Sequence, residues 1–196
     1  MEQWKDGIVT SKDQLVEMVG VPHKTVVHKN ISFIDAHIEN YLAMSTLFFI
    51  SSSSLSGQAD VSPRGDEPGF VKVMDKKKLI FPDRPGNRRL DSLNNIVENP
   101  QVGMIFIIPG LNDVLRINGK AWITRNEELL NQFQWKGKTT RMGVIVEVDE
   151  CFIHCPRAFN KADLWKSEAW PSKEQMPNLI EMWKAHVALN GITADE

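Results

Sequence analysis

Apolar positions recur at helical spacing near both ends of the chain and alternate with polar ones through its middle, which predicts a β-rich centre flanked by helices. Residues 11–45 carry the helical spacing. Ser11 and Asp13 can cap a turn into Leu15, Val16 and Val19, and Ser32 precedes the stripe Ile34, Ile38, Tyr41 and Leu42. The period then changes. Leu47–Ser54 is apolar and then serine-rich, Gly69–Met74 alternates, and Asp75–Lys78 turns into Leu79–Phe81, so the last two runs form a hairpin. Pro82–Asn87, with two prolines and a glycine, is a loop. Arg89–Asn99, with Leu90, Leu93, Asn94 and Val97, is a short helix ended by Asn99-Pro100. Val102–Ile108 is a buried strand, and Pro109-Gly110 and Asn112-Asp113 turn the chain into the long strand Val114–Thr124. Asn126–Phe133 is a short helix and Arg141–Val148 a strand. Residues 159–166 and 177–190 are helices, the second stopped by Gly191. Six strands at short spacing, with no internal repeat, predict a small barrel or sandwich.

Composition narrows the class. The 196 residues are 42% hydrophobic and 24% charged, which suits one soluble domain with a real core. Residues 1–45 are its N-terminal helical extension and 159–196 its C-terminal helices. A net charge of −2 gives no general attraction to nucleic acid or an anionic membrane, so any anion site must be local. Met1 to Asp13 has no apolar core of a signal peptide, and runs such as Leu47–Ile50 are too short to cross a bilayer. A cytoplasmic protein is expected. Two cysteines, Cys151 and Cys155, make neither a disulfide framework nor a paired zinc motif. Four of the six tryptophans (Trp135, Trp165, Trp170, Trp183) lie in the last third, where they offer flat apolar surface to a core, a ring-shaped ligand or a partner.

Three segments carry candidate chemistry. Pro82 to Arg89 lies directly before a short helix, whose free N–H groups and dipole favour an anion. Asn87 or the glycine turn can aim those donors, and Arg88 and Arg89 add planar forks for phosphate oxygens. A solvated basic turn beside Asp91 is the plainer alternative. Asp60 to Asp66 is punctuated by Pro63 and Gly65 and, from the residues alone, is a β-turn with an Arg64–Asp66 pair. Cys151 to Arg157 offers Cys151, His154 and Cys155 as possible metal ligands or a Cys–His pair. No second ligand pair accompanies them, so no metal is expected, and neighbours on a strand point to opposite faces, so His154 and Cys155 would not meet easily as a catalytic pair. Arg157 and Lys161, four apart on one helical face, would repel unless something negative lay between them.

Taken in order, Ser62-Pro63-Arg64-Gly65-Asp66, Leu79 to Asp83, Gly86-Asn87-Arg88-Arg89, Asn99-Pro100 and Leu115-Arg116-Ile117-Asn118-Gly119-Lys120-Ala121 resemble the pyridoxamine 5′-phosphate oxidase-like flavoproteins. The resemblance covers about residues 30–170, within a subgroup that carries a His-Cys element followed by a helix and Trp. It implies a six-stranded antiparallel split β-barrel, FMN as cofactor, and a homodimer whose partner subunit completes each flavin site. Asn87, Arg88 and Arg89 match the positions that hold the FMN phosphate. Ile80, Phe81, Pro82 and Asp83 match the strand end along the ribityl chain and ring, and Ser62 and Arg64 the strand facing the isoalloxazine. His154, Arg157, Lys161 and Trp165 are the partner's candidates, with Arg157 and Lys161 exchanging the subgroup's usual Lys and Arg. A cation near flavin N1 would stabilise reduced flavin, and Arg64, Arg116, Arg157 and Lys161 are all candidates.

The resemblance implies an FMN-dependent oxidoreductase transferring hydride at flavin N5 to or from a small molecule, with no acid or base residue assigned. Vitamin B6 oxidation is not expected, because Glu181 to Glu196 has no Arg-x-His element to grip that substrate's phosphate. A flavin-binding sensor, store or electron carrier, or a barrel binding haem or a deazaflavin, are the alternatives.

Overall fold

A computed structural model of the chain describes residues 2–135 and 137–192. It contains two compact units that divide after Pro156. The first holds a seven-stranded antiparallel sheet built from β1 (Leu47–Ser53), β2 (Ala59–Gly65), β3 (Lys72–Asp75), β4 (Lys78–Pro82), β5 (Gln101–Ile107), β6 (Val114–Thr124) and β9 (Gly143–His154). The strand order is β2-β1-β5-β6-β9-β4-β3, and a separate hairpin pairs β7 (Gln134–Trp135) with β8 (Lys138–Thr139). The helices of this unit are α1 (Lys12–Val19), α2 (Lys24–His28), α3 (Ala36–Met44), α4 (Asp91–Glu98) and α5 (Glu127–Leu130).

The sheet curls. On a flat sheet β1 and β4, four strand spacings apart, would be separated by roughly 19 Å. Instead the Phe48 and Phe81 rings meet edge to face with centroids 4.8 Å apart. Phe48 also lies 4.9 Å from the Phe106 ring and stacks on Phe70 at 5.6 Å. Alternation along the strands turns these rings inward with Ile50, Leu79, Met104, Leu115, Ile117 and Val146, all almost fully buried. The stripe Ile34, Ile38 and Leu42 beside and along α3, with Leu93 and Ile96 of α4, joins the same core. On the outer side, Leu130 of α5 and Phe133 cover Ile80 of β4 in a second, smaller cluster.

One close approach sets the curvature of the two longest strands. The β6–β9 register shifts between Asn118 and Gly119, where Glu150 faces Asn118 and Val148 faces Gly119. A Cβ on Gly119 would lie 2.0 Å from the Glu147 carbonyl oxygen, so only glycine fits at the bulge.

The strand count corrects the expected six. The seventh is β2, over the segment that Pro63 and Gly65 mark as a turn in the sequence. It is an edge strand paired to β1 alone, with Pro63 opposite Phe49, and an edge accepts a proline that a central strand would not. Among the described residues no ladder joins β2 to β3, so the barrel stays open along that seam. The helical stretch 11–45 divides into three helices, and Asp35 rather than Ser32 caps α3, its Oδ1 accepting the Ile38 N–H at 2.9 Å. The strand expected to end at Val148 continues to His154.

The second unit contains α6 (Arg157–Lys161) and α7 (Leu179–Leu189). Phe159 and Trp165 form a tilted ring pair at 6.1 Å, and Asn178 caps α7 by accepting the Ile180 and Glu181 N–H groups.

A candidate site at the open seam of the barrel

The seam brings residues far apart in sequence together. On β2 the alternation turns Asp60, Ser62 and Arg64 to the core side, opposite buried Ser52, Ile50 and Phe48 of β1. Because β2 is the sheet edge, these three remain half-buried at the lip of the opening. From the far side comes the end of β4. β3 begins at Lys72, opposite Ile80, so from Phe81 onward β4 is laddered to β9 alone. Past the seam's end, Asp66 and Arg84 form an ion pair at 2.5 Å that ties the residue after β2 to the loop after β4.

Asp83 sits between these lips. Its N–H donates to the Met142 carbonyl at 3.0 Å, and its own carbonyl accepts the Thr140 hydroxyl at 2.6 Å. The backbone is therefore held while the carboxyl is half-buried. Burial pushes that carboxyl above the usual carboxylate range, and the nearby Arg64 charge partly opposes the shift.

The loop from Asp83 to Leu90 crosses to α4. Leu93 and Ile96 of α4 face the core, and its polar face holds it to the β1–β2 hairpin. The Ser92 hydroxyl donates to Asp60 at 2.7 Å, Asn95 donates to the Ser52 hydroxyl, and Asn99 donates to Ser53. Leu90 at the N-cap provides no side-chain acceptor, so the first N–H groups of α4 are uncapped. Just before it, Asn87 accepts the Arg89 N–H at 3.0 Å. Arg88 takes a left-handed conformation, φ 62°, and its exposed guanidinium has no partner among the described residues. A non-glycine residue there costs about 1 kcal/mol and occurs most where function requires it. Arg89 pairs with Asp91, which raises its pKa, with Asp60 adding to the effect.

The predicted site residues thus fall into groups. Ser62, Arg64, Asp83, Asn87, Arg88 and Arg89 gather around the seam. Ile80, Phe81 and Pro82 line it only through their main chain, since their side chains are buried. Arg116 lies on the outer face of β6, its guanidinium 5.1 Å from the Phe152 ring, away from the seam of its own chain. His154 is exposed at the end of β9. Arg157, Lys161 and Trp165 belong to the second unit, with both cations exposed on α6. The Arg64–Asp66 pair expected from the sequence does not form, because Asp66 pairs with Arg84 instead. The ties Asp66–Arg84 and Asp60–Ser92 were not foreseen, and nothing in their spacing signals them. Cys151 is buried, with Sγ 3.1 Å from the Phe33 carbonyl. Burial, with Asp35 and Glu150 nearby, pushes its thiol up to about 11, so it is no nucleophile at neutral pH.

The model of the family described as pyridoxamine 5′-phosphate oxidase matches residues 34–164, well over half of the chain. No curated protein matches the sequence. Among solved structures, a variant of HupZ from Group A Streptococcus superposes with a TM-score of 0.50 at 18% identity, over 62% of this chain and 99% of that one. A putative pyridoxamine 5′-phosphate oxidase from Lactobacillus delbrueckii superposes at 0.48 with 13% identity, over 62% and 95%. An FMN-binding protein from Syntrophomonas wolfei superposes at 0.43 with 9% identity, over 59% and 80%. At such identities the first of these supports the fold alone.

Proposed function

The chain belongs to the pyridoxamine 5′-phosphate oxidase family, and from that premise and the seam geometry we propose that it binds FMN and acts as an FMN-dependent oxidoreductase on a small molecule. The observation that carries this is the convergence of the Asn87–Arg89 loop, the uncapped start of α4 and the half-buried Arg64 and Asp83 on one opening. FMN needs a dianion site, an apolar slot and polar groups at the ring's edge. The partnerless Arg88, with Arg89 and the free N–H groups of α4, meets the first need. The main chain of Ile80–Asp83 and the inner side of β2 at Ser62 and Arg64 border a slot for the ring. Bound there, FMN would supply hydride transfer at N5, while the protein's part is to hold the ring, exclude water and set its potential. In this reading Arg64 is the cation that would favour reduced flavin, and Asp83 the group that would moderate it.

In the same reading the protein is a homodimer. Across the outer sheet face, Pro63, Phe49, Ile105 and Arg116 stand in register on β2, β1, β5 and β6, and the first three are exposed. With exposed Val61 beside them they form an apolar patch of the kind that a second copy covers. Arg116, His154, Arg157, Lys161 and Trp165 are then the residues one copy offers to the other's flavin.

One experiment tests both parts: flavin content and molecular mass of purified variants. Arg88→Ala with Arg89→Ala should stay folded and dimeric yet lose bound FMN, because both side chains are exposed. Phe49→Glu with Ile105→Glu should yield a monomer without flavin. A full flavin complement in the arginine variant contradicts the phosphate assignment, and a flavin-loaded monomer contradicts the shared site.

A further inference from the structure

A second cleft lies at the other side of the β4 end. The last rung of the β6–β9 ladder joins Thr124 to Gly143. Arg125 follows that rung on one strand and Arg141 precedes it by two residues on the other, so both arginines stand at the same end of the sheet. They border a cleft of about 580 Å³, whose polar rim includes Asn131, Thr139 and Glu127 and whose apolar wall includes Leu130. Neither guanidinium has an ion-pair or hydrogen-bond partner among the described residues, and both side chains are exposed. Leu130 is fixed by its packing on Ile80 and Phe133, which makes that wall rigid. Thr140, also on the cleft, donates its proton to the Asp83 carbonyl, so the cleft and the seam share one stretch of backbone.

We propose that this cleft is a binding site for a small oxyanion-bearing molecule, a phosphate ester or a carboxylate, gripped by Arg125 and Arg141. Two like charges at one strand end repel each other, and an anion between them removes that repulsion while gaining paired, charge-assisted hydrogen bonds. The volume exceeds what an inorganic ion fills and suits a metabolite-sized ligand. Glu127 on the rim lowers the positive charge of the cleft, so its carboxylate opposes the anion that the two arginines attract. The site differs from the Asn87–Arg89 loop in residues and position, and it does not depend on flavin being the cofactor.

Calorimetric titration of the full chain with pyrophosphate and, separately, with malonate tests this. At least one of the two should bind saturably, pyrophosphate alone indicating a phosphate site and malonate alone a carboxylate site. Arg125→Gln with Arg141→Gln should weaken that binding at least tenfold, Glu127→Gln should tighten it, and Arg88→Ala with Arg89→Ala should leave it unchanged. The proposal is overturned if neither anion binds, if the Arg125/Arg141 variant binds as the unaltered protein does, or if binding is lost with Arg88 and Arg89 instead.

Discussion

Cys151 and Cys155 are four residues apart and chemically opposite. Cys151 turns into the core beneath the Phe33 carbonyl with its pKa raised to about 11, while Cys155 is exposed beyond the end of β9. A thiol reagent at pH 8 should therefore modify one cysteine per folded chain and two after denaturation; two in the native protein would contradict the burial. The same scale explains what the sequence could say about charge. Arg88 and Arg89 read as a candidate anion grip because they precede a helix start. Their inequality is not, because it depends on Asp91 and Asp60 engaging only Arg89. Likewise Arg64 and Asp66, two residues apart in sequence, look like a pair. The strand places Arg64 near Asp83 and leaves Asp66 for Arg84.

Elements with clear periodicity match their expected spans closely, β6 above all, since eleven residues of alternation admit little else. β2 escapes this logic. Its burial alternates as a strand should, yet every second residue is only half-buried, and Pro63 and Gly65 carry the local signature of a turn. The edge position tolerates both, and edge position is a property of the sheet, not of the segment. Gly119 shows the reverse case, a residue that looks unremarkable in sequence and is obligatory in the fold. Gly119→Ala forces a Cβ against the Glu147 carbonyl and should lower unfolding stability by about 1–3 kcal/mol or more, since β9 must move to admit it. Urea denaturation reads this as a lower midpoint at similar slope, and an unchanged midpoint would mean that the bulge accommodates a side chain.

At the scale of the molecule, the open seam links fold to function. A closed ladder would have buried the inner side of β2, and a flat sheet would have parted Phe48 from Phe81 and left no core. The curled, unclosed sheet does neither: it keeps a core and exposes Ser62, Arg64 and Asp83 along one edge, with α4 and its basic loop at the end of the opening. None of this closure geometry is local, which is why the sequence offers candidate residues without their arrangement. The most direct test of the account is equilibrium titration of the flavin-free protein with FMN, followed by quenching of flavin fluorescence, beside the same titration with riboflavin. The account predicts saturation at one FMN per chain and binding of riboflavin at least a hundredfold weaker, about 3 kcal/mol, because riboflavin lacks the phosphate that Arg88, Arg89 and the start of α4 would hold. Absence of saturable FMN binding, or equal affinity for riboflavin, would contradict it.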